Sequence, residues 1–220
     1  MKNTTKQRKL WVYSAAAILS FNGGYVSSIS LVSILKNPVG YVTGNLTQAG
    51  ELFEKGEYGL FLHLFTLVFC FLLGSMLSGL IIKDQYFKID YRYDFSLLLQ
   101  LGGVIASMVL LFLGFHQAGY LLAAVMGMQN AMTTHYGSAL IRTTHMTGTT
   151  TDLGILLSYW IKGRKVEFWK MRLYGFLIIG FSAGAIAGAL CYSILHAFAL
   201  SMCALCYIFM LVLGGFSRDA

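Results

Sequence analysis

Polar side chains set inside apolar sequence carry what chemistry this chain has. Asn22-Gly-Gly24 interrupts one apolar run, and Gln129-Asn130, with Thr133, Thr134 and His135, interrupts another. Lipid offers such groups no hydrogen-bond partner, so each is either a tie between helices or part of a path for a polar solute. Asn130 and Thr133 or Thr134 stand three and four residues apart, on one face of a helix. A second set lies in two related segments, Tyr41-Val-Thr-Gly-Asn-Leu-Thr-Gln-Ala-Gly50 and His145-Met-Thr-Gly-Thr-Thr-Thr-Asp-Leu-Gly154. Thr43, Gly44, Thr47 and Gly50 recur as Thr147, Gly148, Thr151 and Gly154 at a constant offset of 104. Asn45 with Gln48, and Thr149 with Asp152, have the spacing of a helix-capping box, and the glycine before each allows a tight entry. A helix start of this kind presents unpaired N–H groups and a partial positive charge, which suit an anion or a polar ligand. His145 adds a side chain able to exchange a proton near neutrality.

Nothing is arranged for catalysis. The sequence has no HExxH, no phosphate-cradling glycine loop, no Ser/His/Asp spacing, and no acidic residue in any apolar run. His63, His116 and His196 have no evident partners. Cys70, Cys191, Cys203 and Cys206 lie in apolar surroundings, where a thiol acts as a small hydrophobe; Cys203-x-x-Cys206 alone is a weak metal or redox signal. The expectation is a protein that is not an enzyme and holds no cofactor and no metal.

The elements that must position these groups follow from composition. The chain of 220 residues is 57% hydrophobic and only 11% charged, with mean hydropathy +0.67. Soluble proteins carry roughly 25% charged residues, so this chain lacks the charge to cover a water-facing surface. Six runs contain no Asp, Glu, Lys or Arg: Leu10–Leu35, Leu60–Ile82, Phe95–Phe115, Gly119–Ile141, Leu173–Leu195 and Ala197–Phe216. Each reaches the roughly 20 residues that cross a bilayer as a helix. The last two are nearly continuous, which demands a tight hairpin near His196. Gly180, Gly184 and Gly188 in the fifth run, with Gly74 and Gly79 in the second, make flat faces for close packing, and the equivalence of these two runs suggests that they cross each other. Trp11, Tyr13, Trp160 and Trp169 fit interfacial belts.

Charge sets the orientation. Lys2, Lys6, Arg8, Lys9, Lys83, Lys88, Arg92, Arg142, Lys162, Arg164, Lys165, Lys170, Arg172 and Arg218 all fall on one side if the spans number six, leaving Lys36 and Lys55 on the other. The positive-inside rule makes that side cytoplasmic, with both termini there. The net charge of +7 is then a consequence of topology, with no basic stripe left to bind nucleic acid. The first run continues to Leu35 without a convincing cleavage site, so it reads as an uncleaved span rather than a secretory signal.

The two Thr-Gly segments each follow the first span of a three-span half. An odd number of spans per half inverts the second copy. The fold expected is an all-α polytopic membrane protein: one membrane domain over residues 1–220, with six transmembrane helices as two inverted three-helix repeats, 10–115 and 119–216. Interruptions at corresponding spans of such repeats point to a binding site, so Asn22 and the Gln129–Asn130 pair are expected at similar depth on one polar cavity. The solute path so nominated comprises Asn22, Thr43, Gly44, Asn45, Gln129, Asn130, Thr133, His135, His145, Thr147, Gly148, Thr149 and Asp152.

The Tyr41-Val-Thr-Gly-Asn45 segment, with Gly127-Met-Gln-Asn-Ala131 and the run from Arg142 to Gly154, resembles the YoaK family of six-span membrane proteins, a domain-of-unknown-function family. The resemblance covers nearly the whole chain and implies a membrane location and a fold, without a substrate. Such proteins often carry an acidic residue where this chain has Ser27; if that carboxylate couples protons in relatives, the step is missing here.

The function expected is a small transporter or permease-like protein in the cell membrane, moving a small polar or anionic solute by alternating access. A non-transporting scaffold or accessory subunit is the alternative, and a channel is a third reading. The partners expected are the lipid bilayer, a small-molecule solute and a second copy in a homodimer, with no nucleic acid.

Overall fold

The computed structural model describes residues 2–82, 91–136 and 142–216, with side chains over 13–82, 91–133 and 142–214. Lys83, Lys88 and Arg218 of the charge pattern lie outside the described residues, as do the side chains of Trp11, Thr134 and His135. The described chain is all helix: α1 (Lys2–Val32), α2 (Val42–Glu54), α3 (Tyr58–Ile81), α4 (Tyr91–Phe112), α5 (Ala118–Tyr136), α6 (Met146–Ile161), α7 (Phe168–Leu195) and α8 (Leu200–Phe216). Every charge-free run of the sequence is therefore the body of a helix.

Stretches long and apolar enough to cross a membrane run over Tyr13–Val32, Tyr58–Ile81, Tyr91–Phe112 and Phe168–Gly214. The last is 47 residues, about 70 Å as one helix and so twice the hydrocarbon thickness. It is broken where expected. His196 adopts φ +49°, a 3-10 turn follows over His196–Ala199, and α8 begins at Leu200. The Tyr25 hydroxyl donates to the Ala199 carbonyl at 2.8 Å, tying this turn to α1.

Burial separates the helices by role. α1 supplies Leu19, Tyr25, Val26 and Ile29 to the core, α5 supplies Leu122, Met126 and Met132, and α8 supplies Leu200, Cys203 and Tyr207. α3 and α7 instead expose large apolar side chains, including Leu62, Phe69, Leu72, Ile179, Ile186 and Ile194. An exterior of this kind is unfavourable in water and favourable in lipid. The protein is membrane-like in both composition and surface.

The long helices meet through glycine. α1 packs along α7 and α3 along α5, with α4 against α5 and α8, α2 on α3, and α6 on α7. A Cβ on Gly24 would stand 2.0 Å from the Phe181 carbonyl oxygen, and one on Gly184 would stand 1.9 Å from that of Phe21. At the other crossing a Cβ on Gly127 would stand 2.0 Å from the Phe71 oxygen, and one on Gly74 would stand 1.9 Å from that of Ala124. The two crossings share one register. Phe21 and Gly24 answer to Ala124 and Gly127 at an offset of 103, while Phe71, Gly74 and Ser75 answer to Phe181, Gly184 and Ala185 at 110. Gly180 and Gly188 extend the α1–α7 contact against the Ala17 and Tyr25 carbonyls.

Two expectations are corrected here. The glycine faces of α3 and α7 do not meet each other; each meets the first long helix of the opposite half, because the close approach of a glycine needs a facing backbone. Gly79 has nothing within 4 Å of a would-be Cβ and makes no such contact. His63 also gains a partner, since its Nδ1 lies 2.7 Å from the Tyr120 hydroxyl.

Candidate functional site

α1 and α5 are joined at their middles by amides. The Asn22 Nδ2 donates to Gln129 Oε1 at 2.9 Å, and the Tyr207 hydroxyl of α8 donates to the same oxygen at 3.0 Å. Gln129 Nε2 donates to the Leu19 carbonyl at 2.9 Å and to Thr143 Oγ1 at 2.8 Å. Ser20 Oγ reaches the Thr143 carbonyl at 3.1 Å and the Leu177 carbonyl at 2.7 Å. Asn22, Gln129 and Thr143 are fully buried; Gln129 has its bonds made, whereas Asn22 Oδ1 has no hydrogen-bond partner among the described residues. These bonds pin the segment that enters α6 to α1 and α5, which are tied in turn to α7 and α8.

Asn130 holds the next residue of that segment. Its Nδ2 donates to the Met126 carbonyl at 2.8 Å and to Thr144 Oγ1 at 2.9 Å, and its Oδ1 accepts from the Thr144 amide at 3.2 Å. Thr133 folds back on its own helix, donating to the Gln129 and Asn130 carbonyls at 3.1 and 2.9 Å.

Beside these residues lies a cavity of about 790 Å³. One wall is the α1–α7 crossing (Gly24, Ser27, Ser28, Phe181, Ala185) and the opposite wall is the α3–α5 crossing (Phe71, Ser75, Gly79, Asn130, Ala131). The entries to α2 and α6 close the remaining sides, with Pro38 and Gly40 to Thr43 on one and Arg142 and Thr144 to Thr147 on the other. Both short helices thus begin at the cavity.

Their first turns are built alike. The Asn45 amide donates to the Tyr41 carbonyl at 3.0 Å, and the Thr149 amide donates to the His145 carbonyl at 3.2 Å. Thr47 and Thr151 each bond the carbonyl four residues back, at 3.0 and 2.9 Å. A Cβ on Gly44 would fall 1.8 Å from the Tyr41 ring, and one on Gly148 would fall 2.5 Å from the His145 ring. The motif glycines therefore make room for the ring of the residue that precedes the helix.

This corrects the capping-box expectation. The N-cap residues are Tyr41 and His145, and neither helix start has a side-chain cap. Each helix begins one turn earlier than the box spacing implies. Asn45 lies inside α2, buried, with its Nδ2 3.3 Å from the Pro38 carbonyl, and Asp152 is exposed in the second turn of α6. Without a side-chain cap, the first N–H groups of α2 and α6 keep their partial positive charge toward the cavity.

Of the nominated path, Thr43, Asn130, His145 and Thr147 line the cavity. Asn22, Gln129 and Thr133 lie behind its wall, while Gly44, Asn45, Gly148, Thr149 and Asp152 belong to α2 and α6 beyond it. His135 is on α5, its side chain outside the described residues. The expected pairing of Asn22 with Asn130 across one cavity is replaced by the direct Asn22–Gln129 bond. In the register of the glycine crossings, the mate of Asn130 is Ser27. In the sequence Ser27 stood out only as the place of an acidic residue in similar proteins and Arg142 only as a cytoplasmic charge, and Gly40 and Thr144 were passed over as site residues; aligning Gly24 with Gly127 would have brought Ser27 to the site. Among the described residues no three of His, Cys, Asp and Glu gather closely enough to share a metal ion.

A family model described as "Protein of unknown function (DUF1275)" matches residues 15–213. No curated protein and no solved structure matches.

Proposed function

The chain belongs to the DUF1275 family, described as proteins of unknown function, and we propose that it is a small solute transporter of the cell membrane working by alternating access. In this reading α1, α3, α4, α5, α7 and α8 are six transmembrane helices, grouped as two inverted three-helix repeats with both termini in the cytoplasm. α2 and α6 are short helices within the two repeats. The chain performs no covalent chemistry; its work is binding and passage.

The observation that carries the reading is the cavity between the two crossings. It lies where the halves meet, it is flanked by both Thr-Gly helix starts, and its walls come from residues in matching register. Inverted-repeat transporters put the solute at such an interface and move it by rocking one half against the other. Smooth glycine–backbone contacts allow helices to slide or tilt without unpacking interdigitated side chains. A scaffold has no need for a space of this size, mostly apolar with a few polar groups set into its wall.

The experiment is uptake into proteoliposomes of solutes first selected by their stabilisation of the purified protein against heat. Saturable uptake that requires the protein supports the transporter. Stabilising solutes that never cross would favour the scaffold, and unitary conductance in a planar bilayer would favour a channel.

A further inference from the structure

From the same cavity, and resting on the transport reading for its biological use, we infer that the ligand is a small organic monoanion, its charged group held by Arg142 between the helix starts of α2 and α6. Three independent features converge on this class.

The first is charge. Among the described lining residues Arg142 is the one with a permanent charge, and no carboxylate shares the wall with it. A guanidinium offers a planar fork that matches a carboxylate or another oxyanion through paired hydrogen bonds. The fork pairs with one oxyanion group, such as the carboxylate of a small organic acid. The second is field. Thr43 and Thr147 bring the uncapped starts of α2 and α6 to the same cavity, and both helix ends favour negative charge.

The third is an unsatisfied hydroxyl. Ser27 lines the cavity, is 8% exposed, and its Oγ has no hydrogen-bond partner. Its origin is visible in the comparison of the two halves. Asn130, 103 residues on, is saturated by Thr144, whereas Ser27 faces Gly40, 104 residues before Thr144, where there is no side chain to answer it. A Cβ on Gly40 would stand 2.8 Å from Ser27 Oγ. The second half thus has a side-chain partner at this place and the first half has none. A buried hydroxyl left unpaired costs free energy, and because this Oγ is enclosed against Gly40, a ligand oxygen recovers that cost by drawing the Ser27 hydroxyl round into the cavity. Leu31, Phe71, Met146 and Phe181 complete the wall and suit an apolar body behind the charged group, which a hydrated inorganic ion lacks.

Binding is measured by calorimetry on the purified full chain in neutral detergent, at constant ionic strength. The probes are benzoate and butyrate, with sulfate and phosphate as inorganic anions, glycerol as a neutral control and choline as a cationic one. The inference expects saturable binding of benzoate or butyrate, weakened at least tenfold in Arg142→Gln and three- to tenfold in Ser27→Ala. Arg164→Gln, which removes an exposed arginine away from the cavity, should bind within twofold of the unaltered chain. Monodispersity and melting of each variant establish that it is folded. Equal or tighter binding of glycerol, choline or sulfate overturns the inference, as does benzoate binding unchanged by Arg142→Gln, or no anion binding at all. The transport reading fails separately: an anion that binds through Arg142 but never enters proteoliposomes leaves this inference standing and removes the transporter. Protein-dependent uptake of glycerol or choline does the reverse.

Discussion

Asn22 on α1 and Gln129 on α5 share a hydrogen bond of 2.9 Å in a fully buried position. The bond joins the two long helices that carry the interrupted segments of the sequence, and it does so beside the cavity rather than across it. Gln129 spends its whole hydrogen-bonding capacity there, on Asn22, Tyr207, Leu19 and Thr143. The carboxamide is thus a fastener for the segment leading into α6, and the polar surface open to a solute belongs to other residues.

Replacing Gln129 with Leu therefore strands the Asn22 amide, the Tyr207 hydroxyl and Thr143 Oγ1 together. The expected loss is about 2–4 kcal/mol, since an orphaned buried polar group costs roughly 1–3 kcal/mol. Tyr207→Phe removes one donor from an oxygen that keeps Asn22, and should cost less than about 1 kcal/mol. Thermal melting of both variants in the same detergent measures the difference.

The matched crossings make a prediction in pairs. Gly24→Ala and Gly127→Ala each drive a methyl group into a facing carbonyl, and should destabilise to similar degrees, by about 1–3 kcal/mol or more. Gly79→Ala and Gly154→Ala meet open space inside helices and should not destabilise, each gaining up to about 0.5–1 kcal/mol. Unequal losses at Gly24 and Gly127 would break the correspondence between the halves.

At the helix starts, Asp152 caps nothing but bonds the Tyr174 hydroxyl of α7, so Asp152→Ala made in a Tyr174→Phe background should change stability by less than about 0.5 kcal/mol. A true N-cap would cost roughly 0.5–2 kcal/mol. Melting of this variant against Tyr174→Phe alone separates the two.

Orientation is checked with single cysteines at Glu57, in the turn between α2 and α3, and at Arg164, between α6 and α7, after removal of Cys70, Cys191, Cys203 and Cys206. An impermeant thiol reagent should label Glu57→Cys from outside and Arg164→Cys only from inside. Labelling of both from one side would contradict six spans with cytoplasmic termini.

The helices themselves were legible in the sequence because lipid-facing segments exclude charge, and that exclusion is written residue by residue. The hairpin at His196 followed from length alone. The cavity was legible only in part. The Thr-Gly repeat marked its two helix starts, but read as capping boxes they began a turn late, since ring packing over Gly44 and Gly148 replaces side-chain caps. Asn22 and the Gln129–Asn130 pair interrupt corresponding spans, which pointed to one shared cavity for all three. The true register, which equates Asn130 with Ser27, is set by contacts of Gly24 and Gly127 with helices far away in the chain. Arg142 was counted with the cytoplasmic charges, and its place at the cavity depends on the Thr143–Gln129 and Thr144–Asn130 bonds that hold its segment. Such bonds join residues 14 apart in the sequence, and no periodicity announces them.

The central claim is that the cavity opens to each side of the membrane in turn. Ala131 lies on its wall beside Asn130, so Ala131→Cys in the cysteine-free chain, reconstituted in vesicles of known orientation, reports access directly. The account predicts that an impermeant thiol reagent labels this position from the outside and, in a separate sample, from the inside, with both rates lowered by a solute that the protein transports. Labelling from one side alone, whatever the solute, would contradict it.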